Sequence, residues 1–334
     1  LMRYARINTE SDPHSTSVPT TSCQHDLASV IYEELQKIGA TNVYYDKDTC
    51  VVYGSLEANV KTGRAIGFVT HMDTAPDASG KDVKPWVLEN YDGNDIVLNK
   101  EKNIIMSPSV FPNLKQYIGQ DLILTDGTTL LGGDDKASIA AVMTLLEYLV
   151  KHPEIKHNFI SVAFTPDEEV SGLAKDLDLE RFKSPIAYTL DGDHLGYYMD
   201  ETFNASLSTI EIHGISVHTA TAKGIMKNAV DIGNAFLNKL PALEKPQYTQ
   251  GREGFYHVVS FNGDCEYAKI EINVRDHDSL QFDIRNNTLK MIVDMLNEEY
   301  GQGTVNITQR IQYRNLKEVI DQVPFMICLL YTSP

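Results

Sequence analysis

The spacing of apolar residues predicts alternating helices and strands over the first 200 residues. Within residues 24–39 the apolar side chains recur at helical intervals, and Gly39 ends the run. A second apolar helix is predicted at 137–150. Short apolar runs predict strands at 42–45, 49–55, 65–70, 158–164 and 185–190. Strands that alternate with helices in this way favour an α/β domain with a mostly parallel central sheet.

The pattern changes after about residue 203, where the strands alternate polar and apolar positions. Strands are predicted at 206–213, 256–262, 269–274 and 304–312, with helices at 225–240 and 278–298. This order is that of a small ferredoxin-like α+β domain. We therefore predict a first domain at 1–203, an inserted domain at 204–313, and a return to the first domain at 314–334.

Composition narrows the choice of partners and compartment. The chain of 334 residues carries 46 acidic and 29 basic side chains, a net charge of −17, which disfavours nucleic acid and anionic membranes as partners. No apolar run is long enough to span a membrane, and the N-terminus lacks the plan of a signal peptide. The four cysteines are scattered without a Cys-x-x-Cys pair, which predicts a reducing, cytoplasmic setting.

Four short segments each place acidic or imidazole side chains directly after an apolar strand, and the second of them also meets the start of a helix. They are His71-Met72-Asp73, Gly132-Gly133-Asp134-Asp135-Lys136, Asp167-Glu168-Glu169 and Asp191-Gly192-Asp193. Ligands of open α/β sheets bind at the carboxyl ends of the strands. Taken singly, each segment has an ordinary explanation: a polar strand end, a helix start rich in acids, solvated loop charge, or a turn. A phosphate-binding loop is excluded because no Gly-Lys-Ser/Thr follows the two glycines.

The residue types in these segments suit metal chemistry. Asp73 can accept a hydrogen bond from one ring nitrogen of His71, which leaves the other nitrogen for a metal ion. Where carboxylates are adjacent, as in Glu168 and Glu169, one can bind a metal while its neighbour takes a proton from water.

Together, and in this order, the four segments resemble the two-zinc exopeptidase family that includes carboxypeptidase G and succinyl-diaminopimelate desuccinylase. Further segments resemble the tripeptide-cleaving aminopeptidases within that family; they are 67–80, 125–136, 163–170, 218–224 and 253–257. The resemblance runs from about residue 3 to about residue 320. It implies a zinc-exopeptidase catalytic domain with an inserted ferredoxin-like dimerisation or lid domain.

The resemblance also implies a ligand set for two zinc ions. By similarity, His71 and Asp191 bind one zinc, Asp134 bridges both, and Glu169 binds the other. Mixed imidazole and carboxylate ligands suit zinc, and paired metals bridged in this way lie roughly 3.5–4 Å apart.

Roles for other residues follow from the same resemblance. Glu168 would be the general base and then the general acid, and Asp73 would orient His71. The peptide between Asp134 and Asp135 would be cis. In the inserted domain, His218 would stabilise the reacting carbonyl, and Arg275 would bind the carboxylate of the peptide.

The function so implied is a metal-dependent aminopeptidase that removes the N-terminal residue of tripeptides. The alternatives are a related dipeptidase, an N-acyl amino acid hydrolase, or a module that only binds metal or peptide. For Arg275 the alternative is a structural ion pair with Asp276 or Asp278. Short peptides are the expected partners, together with a second copy of the chain, bound through the inserted domain.

The ends of the chain suggest a fragment. It begins with Leu1 and closes on residues 328–334 directly after a helix-like segment. The family supplies a further zinc-binding histidine near its C-terminus, whereas the last histidine here is His277. The resemblance therefore implies that this chain holds the second zinc loosely and has little activity by itself.

Overall fold

The structure is a computed structural model that describes residues 1–61, 63–170, 177–192 and 196–327. The chain divides into two compact units, Leu1–Leu195 and Gly196–Pro334. The finer division into 1–203, 204–313 and 314–334 stays a prediction. Within the described ranges, none of the helices combines the length and the apolar character that a membrane span requires.

The first unit is built on a five-stranded sheet flanked by helices. Its helices are α1 (Met2–Ala5), α2 (Gln24–Ile38), α3 (Gly133–Lys151) and α4 (Leu179–Phe182). Its strands are β1 (Thr41–Asp46), β2 (Val51–Leu56), β3 (Ile66–His71), β4 (Trp86–Leu88), β5 (Ile96–Asn99), β6 (Ile104–Met106), β7 (Leu122–Leu124), β8 (Ile160–Thr165) and β9 (Ala187–Thr189). The main sheet has the order β1-β2-β8-β3-β9.

The predicted α/β class is confirmed, and the sheet is mixed. Strand β3 pairs in parallel with β8 on one side and with β9 on the other. Strand β2 pairs antiparallel with β1 on one side and with β8 on the other. The predicted helix at 24–39 is α2, and Gly39 follows it in the left-handed conformation that a helix end favours. The predicted helix at 137–150 lies within α3.

The core of this unit lies between the main sheet and helices α2 and α3. Apolar side chains of both helices are fully buried against strands β2 and β8, as helical periodicity requires. Contributors to this core include Leu27, Ile31 and Leu35 of α2, Ile139 and Leu146 of α3, and Val162 and Phe164 of β8. This packing fixes α3, and so the turn that begins it, against the carboxyl end of β3.

A small subdomain between β3 and α3 was not predicted. Strands β4 and β7 form one antiparallel pair, and β5 and β6 form another. They enclose a separate apolar cluster around Tyr91, Ile96 and Leu124. Strands of three or four residues show too few alternating positions to be recognised from sequence, which explains why no strand was predicted in this region.

The second unit has the predicted ferredoxin-like order. Its helices are α5 (Ala229–Asn238), α6 (Ser279–Tyr300) and α7 (Lys317–Ile320), and its strands are β10 (Asn204–His213), β11 (Phe255–Gly263), β12 (Tyr267–Asp276) and β13 (Val305–Tyr313). The sheet has the order β11-β12-β10-β13, and every pairing in it is antiparallel. Helices α5 and α6 pack on alternate, apolar residues of β10 and β12, and this forms the second core.

Candidate active site

The parallel strands bring three of the four acidic segments to one edge of the first sheet. Strands β8, β3 and β9 are neighbours and run in the same direction. The residues that follow them, Glu168 and Glu169, Asp73, and Asp191, therefore emerge at the same edge. The fourth segment joins them because α3 starts at Gly133, beside β3.

His71 stands at the centre of this cluster. The ring is buried, with Nδ1 3.2 Å from Oδ1 of Asp73 and Nε2 3.0 Å from Oδ1 of Asp134. A carboxylate oxygen of Asp191 lies 3.8 Å from the same Nε2. With the Nδ1 proton donated to Asp73, the lone pair of Nε2 faces two carboxylates. A cation between them is the natural complement of that arrangement.

Asp73 contacts two backbone N–H groups in addition to the imidazole of His71. Its carboxylate is completely buried, and it accepts the backbone N–H groups of Glu168 at 2.9 Å and Glu169 at 3.1 Å. Hydrogen bonds to an ionised acceptor are stronger than those between neutral groups. One buried carboxylate therefore sets the position of the ring on one strand and of the acidic turn that follows the next.

Asp134 and Asp135 have opposite surroundings. The peptide bond between them is cis, as the resemblance implies, and neither residue has helical dihedral angles. Asp134 is exposed at the cluster, whereas Asp135 is buried and accepts the backbone N–H of His71 at 3.1 Å. Gly132 precedes them with φ +70°, where a Cβ would also press against Thr74. Asp135 thus helps to position the backbone of His71, a role that adjacency in sequence did not reveal.

The side chains form three overlapping groups that can hold a metal ion. The potential ligand atoms within each group lie within 4.8 Å of one another. The groups are His71, Glu168 and Asp191; His71, Asp134 and Glu169; and Asp134, Asp135 and Asp191. An imidazole among carboxylates is a donor set that zinc accepts, so the residues present fit a metal centre. Asp193 and His194 lie outside the described residues.

The electrostatics of the cluster also favour a cation. Burial raises the pKa of Glu168, Glu169 and Asp191, and the charge of Asp134 raises all three further. Burial lowers the pKa of His71, but the hydrogen bond and charge of Asp73 outweigh it and bring that pKa to about 10. The carboxylates therefore repel one another and together hold a proton on the ring. A divalent cation relieves both effects, since it replaces that proton at Nε2.

His218 lies in the second unit, on the surface, just before a short 3₁₀ turn. Its Nδ1 accepts the backbone N–H of Ala220 at 3.2 Å. Because Nδ1 accepts this hydrogen bond, the N–H donor of the ring is at Nε2, directed away from the turn.

Arg275 also lies in the second unit, at the end of β12. Its guanidinium donates to the carbonyl oxygens of Ser206 at 3.3 Å and Val274 at 3.1 Å, and it lies over the ring of Phe203. Burial lowers the pKa of this guanidinium. Among the residues that the structure describes, these carbonyl and aromatic neighbours carry no negative charge, so the guanidinium keeps a positive charge that suits binding of an anion.

The alternative of a structural ion pair for Arg275 is wrong. Asp276 pairs instead with Arg285 at 2.7 Å, and Asp278 caps α6 through the N–H of Gln281. The Asp276–Arg285 pair also explains the glycine of the 253–257 segment, because a Cβ at Gly254 would overlap the carboxylate of Asp276.

Comparisons with known proteins identify relatives of this chain. Residues 201–304 match the family described as the peptidase dimerisation domain. The chain is 47% identical over 330 residues to the peptidase T of Alkaliphilus oremlandii, covering 98% of this chain and 80% of the relative. It is 48% identical over 323 residues to the peptidase T of Caldanaerobacter subterraneus, covering 96% and 79%.

Solved structures share the fold. The aminopeptidase PepT of Bacillus cereus superposes with a TM-score of 0.72 at 20% identity, covering 98% of this chain and 80% of that one. A dinuclear metal-binding peptidase of the M20 family from Bacillus subtilis superposes with a TM-score of 0.57 at 12% identity, covering 94% and 73%. At these identities the likeness concerns the fold alone.

Asp73→Asn is expected to weaken binding of a divalent metal by about 10- to 100-fold. The change removes the buried charge and turns one acceptor into a donor that faces a ring or backbone N–H. Competition with a chelating dye at constant pH measures the affinity. Asp46→Asn is the control, since Asp46 accepts two backbone N–H groups in a turn of the same unit without touching the cluster. Equal affinity in both variants would contradict the role of Asp73.

Proposed function

This chain belongs to the peptidase T family and is a metallo-aminopeptidase that acts on tripeptides, and we propose that it does so at the cluster around His71. The observation that carries the proposal is that imidazole. It is buried between Asp73 on one nitrogen and Asp134 and Asp191 on the other. Family membership favours tripeptides over the dipeptide and N-acyl amino acid alternatives, and it favours catalysis over binding alone.

Two zinc ions are the proposed cofactors. His71 and Asp191 would hold one, Asp134 would be shared, and Glu169 would serve the other. The closeness of their ligand atoms supports this assignment. When bound, a pair of such cations polarises the scissile carbonyl group and acidifies the attacking water.

Glu168 is the proposed general base. Its side chain is exposed at the cluster, while its backbone N–H donates to the Asp73 carboxylate at 2.9 Å. The side chain is therefore accessible, and the backbone that carries it is held in place. Burial raises its pKa, which brings the group closer to the pH at which a base both accepts and returns a proton. It would accept the proton of the attacking water and then protonate the leaving amine.

The substrate would be held by residues of the second unit. The Nε2–H of His218 is available to hydrogen-bond the reacting carbonyl oxygen and to stabilise the negative charge that develops there. The guanidinium of Arg275 would bind the C-terminal carboxylate of the peptide, because a planar fork of donors matches two carboxylate oxygens.

A homodimer is the proposed assembly, formed through the outer face of α6. The match to the peptidase dimerisation domain supports it, as does an exposed apolar stripe on that helix. The stripe consists of Leu280, Ile284, Met291 and Met295, spaced so that they share one side. The scattered cysteines support a cytoplasmic location.

Glu168→Gln should keep the metal content and lower kcat by about 10²–10⁴-fold, because the amide no longer accepts a proton. Turnover of a simple tripeptide and elemental analysis of the purified protein measure the two quantities. Glu180→Gln, an exposed glutamate on α4, is the control and should behave as the wild type. Turnover close to that of the wild type in Glu168→Gln would contradict the assignment of Glu168 as the general base.

Arg275→Ala should raise KM for tripeptides by about 10- to 100-fold, the range expected when a charge-assisted hydrogen bond is lost. The wild type should discriminate against a C-terminally amidated tripeptide, and the variant should not. Arg310→Ala, an exposed arginine of the same unit, serves as the control. If amidation makes no difference to the wild type, Arg275 does not bind the carboxylate.

A charge placed on the apolar stripe should dissociate the dimer. Met291→Glu combined with Met295→Glu buries repelling carboxylates at a two-fold interface, so sedimentation should shift from dimer to monomer. Lys290→Glu changes the charge of the same helix beside the stripe and should leave the dimer intact. A dimer that survives the double change would place the interface elsewhere.

A further inference from the structure

The turn that carries Glu168 and Glu169 is held from two sides. On one side, Asp73 accepts both of their backbone N–H groups. On the other side, the preceding residue, Asp167, is bonded to a segment more than 140 residues earlier in the chain. The segment comprises residues 7–24 and is called here the N-terminal segment.

Asp167 differs from its two acidic neighbours in every contact. It is buried, and it belongs to none of the groups of described residues that can hold a metal. Its carboxylate accepts the backbone N–H of Thr20 at 2.8 Å, the hydroxyl of Thr20 at 2.5 Å and the side-chain amide of Gln24 at 2.6 Å. Its own backbone N–H donates back to Gln24 at 3.2 Å. The two side chains therefore form a reciprocal pair.

The backbone at Asp167 requires such support. Its φ of +59° lies in the left-handed region, which is uncommon for a residue with a Cβ. The conformation persists only where neighbouring contacts over-determine it. Here the contacts to Thr20 and Gln24 do so, and the bend they maintain sets where the next two residues leave the strand.

The N-terminal segment is tied to the other loops of the cluster as well. The backbone of Thr74, which follows Asp73, exchanges hydrogen bonds of 3.1 Å with Thr9 and Ser11. The ammonium group of Lys136, two residues after Asp134, is buried and donates to the carbonyl oxygen of Ile7 at 2.8 Å. One segment thus contacts the 71–74, 134–136 and 167–169 loops.

We propose that Asp167 is a positioning residue of the active site and that Thr20 and Gln24 of the N-terminal segment act through it. Asp167 touches neither metal nor substrate. It fixes the bend from which the Glu168 carboxylate reaches the attacking water and the Glu169 carboxylate reaches its metal. The inference rests on the proposed function, because it assigns these two carboxylates their roles.

A polarity swap tests the reciprocal pair in the full chain. Asp167→Asn turns an acceptor into a donor facing the amide of Gln24, and Gln24→Glu places two carboxylates together. Each should lower kcat by about 10- to 100-fold, the effect typical of residues that orient a metal site, with little change in KM. In the double variant the new amide donates to the new carboxylate, and kcat should recover most of the loss.

A matched control separates positioning from stability. Asn59 joins two loops of the same unit, with its side chain bonded to Ile155 at 2.6 Å and to His157 at 2.8 Å, away from the cluster. Asn59→Ala should lower Tm without lowering kcat of the folded enzyme. If Asp167→Asn does not fold, Thr20→Val removes the hydroxyl that donates to Asp167 and accepts from Asp12 and Gln24, and it should lower kcat at unchanged KM.

The outcomes separate this inference from the proposed function. Wild-type turnover in Glu168→Gln would overturn the proposed base. If Glu168→Gln loses its activity but Asp167→Asn keeps the kcat of the wild type, the positioning role alone is overturned. A double variant no better than its parents would also overturn it, since recovery depends on the reciprocal pair.

Discussion

The active site depends on one constraint, which is that several carboxylates must lie together at a sheet edge with a single imidazole between them. Like charges at such distances repel, and burial adds to the cost of ionising them. The raised pKa values of Glu168, Glu169 and Asp191 are the direct expression of that cost. Buried polar residues of the first unit hold this cluster in place.

Asp73 is the principal support, and it works because it is buried. A carboxylate in water would exchange its partners, whereas this one keeps the ring of His71 and two backbone N–H groups. Asp135 likewise accepts the backbone N–H of His71 and holds it in position. Neither needs to touch a metal to matter, since each restricts where a ligand atom can go.

Acidic residues that are adjacent in sequence have different roles in the structure. In both the Asp134–Asp135 pair and the Asp167–Glu168–Glu169 run, one member is buried and holds the backbone while the others face the cluster. In the second case the bend at Asp167, which has a left-handed backbone, contributes to this division. Runs of acids that look redundant in sequence are therefore specialised in the fold.

Much of the architecture could be predicted from the sequence. The periodicity of residues 24–39 predicted α2, and the order of strands and helices after residue 203 predicted the ferredoxin-like unit, because buried faces must repeat with the period of their element. The small subdomain built on β4 to β7 was missed, since its strands are too short to show a period. The ion pair considered for Arg275 was wrong, because strand alternation turns Asp276 to the opposite face of β12, towards Arg285.

The sequence by itself marked four segments by their residue types and their places in the chain, and the family resemblance carried by those segments implied that His71, Asp134, Glu169 and Asp191 bind metal. It also determined the family through the order of those segments. Only the tertiary structure decided which acid serves which purpose. The parallel pairing of β8, β3 and β9 brings distant segments together, and burial then separates the supports, Asp73, Asp135 and Asp167, from the groups that face the cluster. Burial and direction depend on contacts between residues far apart in the chain, so no local pattern can encode them.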